Sequence, residues 1–305
     1  MKILFVKTSS LGDVVHQCPA VSEAARNLPA AEVDWVVEEA FAGVPAMHAS
    51  VRRVIPLALR RWRRALFSPT AWREFASFRE SVAAERYDAI VDTQGLIKSA
   101  LVARLANGPV HGLDRASERE PLARFFYRHV HPVQFALHPV ERNRLLTAQA
   151  LGYAVEGPPE YGLRIEAPQR VARCIFLTMT SRPEKLWPEA RWIELGRSLA
   201  MPIVLPWGTA GERARAERIA RAIGAGAVVA PSMALRELAG LFAASSGVVG
   251  IDTGLTHLAA ALGCRTVGLY CGTDPARYGL RAQHAVNLGA LGRPPAVDEA
   301  RKALQ

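Results

Sequence analysis

"KILFVKTSSLGDVVHQCPAVSEAARNL", residues 2–28, decides the fold. Its apolar run, Ile3–Val6, has the character of a strand buried on both faces of a parallel sheet. Small and hydroxyl residues, Thr8–Ser10, then make a turn, Gly12 frees the backbone, and "AVSEAARNL" carries apolar residues at helical spacing. Strand, tight turn and helix in that order open a βαβ unit. One carboxylate, Asp13, stands at the carboxyl end of this first strand, the end at which ligands of such folds bind. It suits a helix N-cap, and it equally suits a base that takes a proton from a hydroxyl. Gly12 is the only glycine of the turn, so no GxGxxG fingerprint supports a dinucleotide site here.

Outward from this stretch the pattern repeats. "VDWVV" and "DAIVD" read as further buried strands, while "AWREFASFRESVAAE" and "LIKSALVARLA" read as helices between and after them. Alternation of this kind favours parallel strands joined by right-handed crossovers. It lapses in "LGYAVEGPPEYGLRIEAPQR", where Gly157, Pro158, Pro159, Gly162 and Pro168 punctuate a stretch without periodicity, and an interdomain linker is expected there. Strands resume with "RCIFLT", "PIVLP", "AVVAP", "GVVGI" and "RTVGLY", separated by helices such as "PEARWIELGRSLA" and "LTHLAAALG". The expectation is an α/β chain of two doubly wound, Rossmann-like domains, residues 1–160 and 161–290, facing across a cleft. Residues 291–305 form a tail whose helix, "DEARKAL", is expected to pack back on the N-terminal domain.

The bulk numbers agree with a folded, cation-rich chain. Of 305 residues, 50% are hydrophobic and 22% charged, a globular composition. A net charge of +10 calls for an acidic partner: nucleic acid, an anionic membrane or a phosphorylated substrate. The four cysteines have no CxxC spacing, and three lie in or beside apolar segments, so buried, reduced thiols are expected rather than zinc or disulfides. Lys7 and Asp13 interrupt any signal-peptide core, and no apolar run reaches the roughly 20 residues that span a bilayer. A cytoplasmic protein is expected.

Three more stretches carry chemistry. In "ALRRWRRALFSPTAWR", Arg60, Arg61, Arg63 and Arg64 surround Trp62, and no acid intervenes from Arg52 until Glu74. Guanidinium groups bind phosphates and carboxylates in pairs, so the cluster suits a polyanionic ligand or a bilayer surface; no helix-turn-helix, zinc or RNP signature accompanies it. In "LTMTSRPEKLWP", Thr178, Thr180, Ser181 and Lys185 leave a strand end before a helix, a set that fits a pyrophosphate or an ordinary connection. In "GVVGIDTGLTHLAAALG", Asp252-Thr253-Gly254 turn a buried strand into a helix bearing His257. Asp252 as an N-cap and His257 as a core histidine would account for it. Two anion-friendly turns at one sheet edge favour a phosphate site.

Together "VKTSSLGDVVHQCPA", "DWVVEEAFAGVPAMHASVRRVIPLALRRWRR", "DTQGLIKSALVARLA", "EREPLARFFY", "KLWPEARW", "LPWG" and "DTGLTHLAAALG" resemble the lipopolysaccharide heptosyltransferases of glycosyltransferase family nine, and among them the kind that adds the first heptose. The likeness runs in order from residue 2 to about residue 280 and implies the GT-B fold. It implies inverting transfer of L-glycero-D-manno-heptose from its ADP conjugate to the inner Kdo of Kdo2-lipid A. Asp13 is then the general base. Thr180, Ser181, Lys185, Thr253 and Gly254 meet the donor phosphates, Glu212 the ribose hydroxyls and Met233 the adenine, while Asp252, Leu255 and His257 complete the donor pocket. Arg60, Arg61, Arg63, Arg64 and Arg119 face the anionic acceptor. No metal or resident cofactor and no nucleic acid is implied; a monomer in peripheral contact with the cytoplasmic face of the inner membrane is. A second-heptose or other nucleotide-sugar transferase is the alternative within the family, and a nucleic-acid-binding module the one outside it. Thr178 stands where close relatives carry histidine, and "YCGTDP" replaces the more usual Tyr-Gly-Pro-Thr-Asp-Pro.

Overall fold

The computed structural model describes residues 1–65, 67–166 and 169–304. The chain divides into two compact units, Met1–Leu163 and Arg164–Gln305. In the first, β1 (Lys2–Val6), β2 (Glu32–Glu38), β3 (Val51–Leu57), β4 (Ala89–Asp92), β5 (Val110–Leu113) and β6 (His129–His131) form one parallel sheet in the order β3-β2-β1-β4-β5-β6. Helices α1 (Leu11–Asn27), α2 (Gly43–Ala46), α3 (Leu59–Trp62), α4 (Pro69–Ala83), α5 (Ile97–Ala103) and α6 (Pro139–Leu151) connect and cover it. Strand order reverses between β1 and β4, so the loops leaving those two strands diverge and open a crevice at the carboxyl edge.

The second unit repeats the winding. Its strands β7 (Val171–Leu177), β8 (Ile203–Leu205), β9 (Ala227–Val229), β10 (Ser245–Ile251), β11 (Thr266–Tyr270) and β12 (Ala285–Gly289) lie in the order β12-β11-β10-β7-β8-β9, all parallel. The helices are α7 (Glu189–Ser198), α8 (Ala210–Ile223), α9 (Leu235–Ala243), α10 (Gly254–Ala261), α11 (Pro275–Tyr278) and α12 (Val297–Leu304). Here the reversal falls between β7 and β10. The expected α/β class, with two doubly wound units, is the one observed.

Local differences have local causes. Helix α1 begins at Leu11, well before the periodic stretch, because Val14–Val21 are buried all round and show no polar face. Strands β3, β6 and β12 escape a search for apolar runs because they are only partly covered; in β3, Arg52 and Pro56 are exposed. The linker is shorter than its composition implies. Arg144 donates to the carbonyls of Glu156 and Gly157 at 3.0 and 2.9 Å, and Leu163 bridges His48, so the chain up to Leu163 docks on the first unit. Pro168, counted with the linker, lies outside the described residues. In the tail helix α12, Val297 and Ala300 enter the second unit's own core beside Trp187 and Trp192. All four cysteines are free and buried.

Candidate functional site

At the reversal point of the first sheet the loops after β1 and β4 are tied together. Gln94 accepts from the backbone N–H of Thr8 and Ser9 at 3.0 and 3.3 Å and donates to the Ser9 carbonyl. Asp92, fully buried at the end of β4, accepts from the Gln94 N–H at 2.9 Å, from Ser99 at 2.8 Å and from the Tyr127 hydroxyl at 2.9 Å. Burial pushes its carboxyl up to about 6 against the pull of those bonds. The Thr8–Ser10 turn is thereby fixed, and Asp13 with it.

Asp13 is not the N-cap that its position implied. Ser10 caps α1, and Asp13 is the third helical residue, its carboxylate accepting from the Ser10 backbone N–H at 2.8 Å and the Ser10 hydroxyl at 3.0 Å. One oxygen, Oδ2, takes both bonds, which leaves Oδ1 for a ligand. Asp13 lines a pocket with Lys7, Thr93, Gln94, Arg119 and Arg142. Lys7 is 5% exposed; its ammonium donates to the Thr93 carbonyl at 2.7 Å and to Asn143 at 3.3 Å. Burial pushes it down to about 8, while the charges of Asp13 and Asp92 pull it back up. Lys7, Gln94 and Arg142 were not singled out from sequence. The lysine at the end of β1 was the available signal, because a charge there has to find a partner.

The arginine cluster is only partly as expected. Arg60, Arg63 and Arg64 are exposed. Arg61 is not an unbalanced cation: it donates to Glu39 at 3.1 Å and to Glu74 at 2.6 Å. The acids missing from the local sequence arrive from the end of β2 and from α4. Trp62 is buried against Phe75 and Phe78, with its indole N–H on Glu74 at 2.7 Å. Arg119 lies apart from these four along the chain and beside Asp13.

In the second unit the reversal point gathers the loops after β7, β10 and β11 around Asp252. Its carboxylate accepts from the Lys185 ammonium at 2.7 Å and from Thr273 at 2.7 Å, with His257 Nε2 at 3.5 Å. Burial by itself would raise the Asp252 carboxyl; the bonds and charge from His257, then Lys185 and Thr273, outweigh it and hold the group below the usual carboxylate range. Asp252 is thus a hub rather than the N-cap. Thr253 caps α10, and the free N–H groups of Gly254 and Leu255 open that helix. Gly272 fits close packing of these loops, since a Cβ there would lie 2.4 Å from the Glu184 carbonyl. Thr273 was missed because it lies in the divergent "YCGTDP" turn.

The remaining expected residues line the same carboxyl edge. Thr180 and the exposed Ser181 follow β7, Glu212 follows β8 and the half-buried Met233 follows β9. Glu212 also belongs to a capping box: one oxygen accepts from the Gly208 and Thr209 N–H at 2.7 and 3.0 Å, and the other carries no such bond. Thr178 is buried, and its hydroxyl finds no hydrogen-bond partner among the described residues. No group of three or more His, Cys, Asp or Glu among the described residues is placed to hold a metal ion.

Two doubly wound units, each with polar groups gathered at its carboxyl edge, define an α/β protein built to bind ligands at those edges, and comparison with known proteins supplies the family. The profile of Glycosyltransferase family 9 (heptosyltransferase) matches residues 75–303. The chain is 44% identical over 299 residues to lipopolysaccharide heptosyltransferase 1 of Pseudomonas aeruginosa, covering 95% of this chain and 84% of that protein. It is 45% identical over 289 residues to the Escherichia coli K12 protein of the same name, covering 92% and 90%. Among solved structures it is similar to E. coli heptosyltransferase WaaC with ADP, at 41% identity and a TM-score of 0.90, covering 99% of this chain and 98% of that one. E. coli heptosyltransferase II, at 20% identity and TM-score 0.79 over 100% and 97%, shares the fold. The chain belongs to glycosyltransferase family 9, the heptosyltransferases, and is an enzyme of that kind.

Proposed function

We propose that the enzyme transfers L-glycero-D-manno-heptose from ADP-heptose to the inner Kdo of Kdo2-lipid A, with inversion, during assembly of the lipopolysaccharide inner core. The observation that carries this is identity of 44–45% across nearly the whole chain to proteins named lipopolysaccharide heptosyltransferase 1. On the donor side, a WaaC structure with ADP-2-deoxy-2-fluoro heptose is 40% identical, with TM-score 0.86 over 99% and 98% of the two chains.

In this mechanism Asp13 takes the proton of the attacking Kdo hydroxyl on its unbonded oxygen. The hydroxyl oxygen forms the new bond to the anomeric carbon, and the bond from that carbon to the β-phosphate oxygen breaks, its electrons leaving with ADP. Lys185 and the N–H groups that open α10 meet the charge on the departing diphosphate. An ammonium has three donors, so the one held by Asp252 orients the group and leaves two for phosphate oxygens. Thr180, Ser181 and Thr253 add hydroxyl donors, Glu212 takes the ribose and Met233 the adenine. Arg60, Arg63, Arg64 and Arg119 receive the acceptor's anionic groups. Lysine and helix N-terminus cover the leaving group, so the reading assigns no resident cofactor. The enzyme acts as a monomer, cytoplasmic and peripheral on the inner membrane. Turnover of ADP-heptose with Kdo2-lipid A, set beside its monoheptosyl product, tests this. Transfer only to the former is expected; transfer only to the latter assigns the second-heptose reaction instead.

A further inference from the structure

The loop that leaves β11 does more than close the second unit's edge. Residues 271–274 are pinned at both ends. The Cys271 carbonyl accepts from the Gly292 N–H at 2.8 Å, and Asp274 caps α11, its carboxylate accepting from the Ala276 N–H at 2.9 Å. Between the pins, two consecutive residues bear on Lys185 by separate routes. Gly272 abuts the peptide that carries it: a Cβ at 272 would lie 2.4 Å from the Glu184 carbonyl oxygen and 2.8 Å from its carbon, which is bonded to the Lys185 nitrogen. Thr273 bears on the far end of the side chain. Its hydroxyl donates to Asp252 Oδ2 at 2.7 Å, the same oxygen that takes the Lys185 ammonium at 2.7 Å.

Lys185 closes a single 3₁₀ turn, Pro183–Lys185, and residues 182–184 are exposed. Such a turn has little packed behind it to resist displacement, whereas the 271–274 loop is held. Ordinary contact starts near 3.4 Å, so a methyl group at 272 pushes the Glu184–Lys185 peptide away by about 1 Å, and the ammonium follows it or leaves Asp252. Loss of the Thr273 hydroxyl frees the Asp252 carboxylate to rotate and carry the ammonium off line. We propose that Gly272 and Thr273 are positioning residues for Lys185. Gly272 sets how deep the lysine's turn seats, and Thr273 sets the carboxylate on which its ammonium rests. Neither role requires contact with substrate. The inference rests on the reading above in which Lys185 meets the donor diphosphate, and it names what aims that lysine.

The test measures ADP and AMP affinity by calorimetry on the intact protein, since the two probes differ only in the β-phosphate. Gly272→Ala and Thr273→Val should each weaken ADP about tenfold or more, with AMP changed by less than about twofold, so the preference for ADP collapses. Thr273→Ser, which restores the hydroxyl, should bind as wild type does. In a Lys185→Met background both substitutions should lose their effect on ADP to within about twofold, because the group they aim is gone. Turnover of ADP-heptose should fall about 10–10²-fold in kcat with the KM for Kdo2-lipid A unchanged. A loss shared equally by ADP and AMP marks the two residues as structural and overturns the proposal, as does full additivity with Lys185→Met. Should Gly272→Ala not fold, Thr273→Val set beside Thr273→Ser decides alone. Wild-type preference in Gly272→Ala and Thr273→Val, beside an impaired Lys185→Met, overturns the positioning claim and leaves the transfer reading intact. Wild-type preference in Lys185→Met itself counts against the phosphate role of that lysine and takes the positioning claim with it.

Discussion

Replacing Asp252 with Asn tests whether the hub of the second unit is electrostatic. The substitution keeps the volume and one carbonyl oxygen but removes the charge that Lys185, Thr273 and His257 share. Lys185 is 15% exposed and Asp252 8% by side chain, so the pair is nearly but not wholly dry. Breaking a fully buried pair by neutralising one partner costs about 3–5 kcal/mol. Residual solvent on the ammonium and the surviving oxygen bring this to roughly 2–3 kcal/mol. For a unit of this size that lowers Tm by about 5–10 °C, read by calorimetry at pH 7. The pH dependence supplies a second readout. The folded pKa of Asp252 lies below its unfolded value near 3.8, so its stabilisation is complete above that value and is lost as pH falls through it toward the folded pKa. The gap between wild type and Asp252→Asn should therefore be full at pH 6–7 and shrink below about pH 4. Equal Tm values at pH 7 would refute the reasoning, and so would a gap that stays constant into acid.

Asp13→Asn separates the base from the cap. Asn can still accept from the Ser10 N–H, so the change in stability should stay under about 1 kcal/mol, while kcat falls by at least about 10²–10⁴-fold and ADP affinity holds. Retained turnover removes Asp13 from the chemistry, and a collapse in Tm marks it as chiefly structural. Lys7→Met addresses the buried ammonium. With a folded pKa of about 8 against 10.5 unfolded, the unfolded chain binds more protons between those values, so Lys7 makes stability rise with pH across that window. Urea midpoints at pH 7.5, 9 and 10 should show that rise in wild type and a flatter profile in the variant. Parallel profiles would mean that Lys7 is not desolvated as described.

The fold was legible wherever a strand is covered on both faces. β1, β4, β7 and β10 are continuous apolar runs because both sides of the central sheet are packed, and their spacing with amphipathic helices implies the doubly wound class. Asp13, Lys185 and Asp252 were legible as polar groups at the carboxyl ends of such strands, the place where a parallel sheet presents its ligands. Edge strands left a weaker trace, since half-covered backbone tolerates Arg52 and Pro56 in β3.

What the amino-acid order determined by itself was the alternation of strand and helix, and with it which residues arrive at a loaded sheet edge. Which partner each of them meets was decided by the tertiary structure alone. Lys185 and Asp252 are 67 residues apart, and Arg61 finds Glu39 from 22 residues away. Ion pairing and desolvation depend on distances of a few ångströms, set when separate crossovers bring their loops together. A local pattern of residues holds no record of those distances, so the cluster that looked unbalanced proved partly neutralised, and the aspartates that looked like caps proved to be a helix's third residue and a hub.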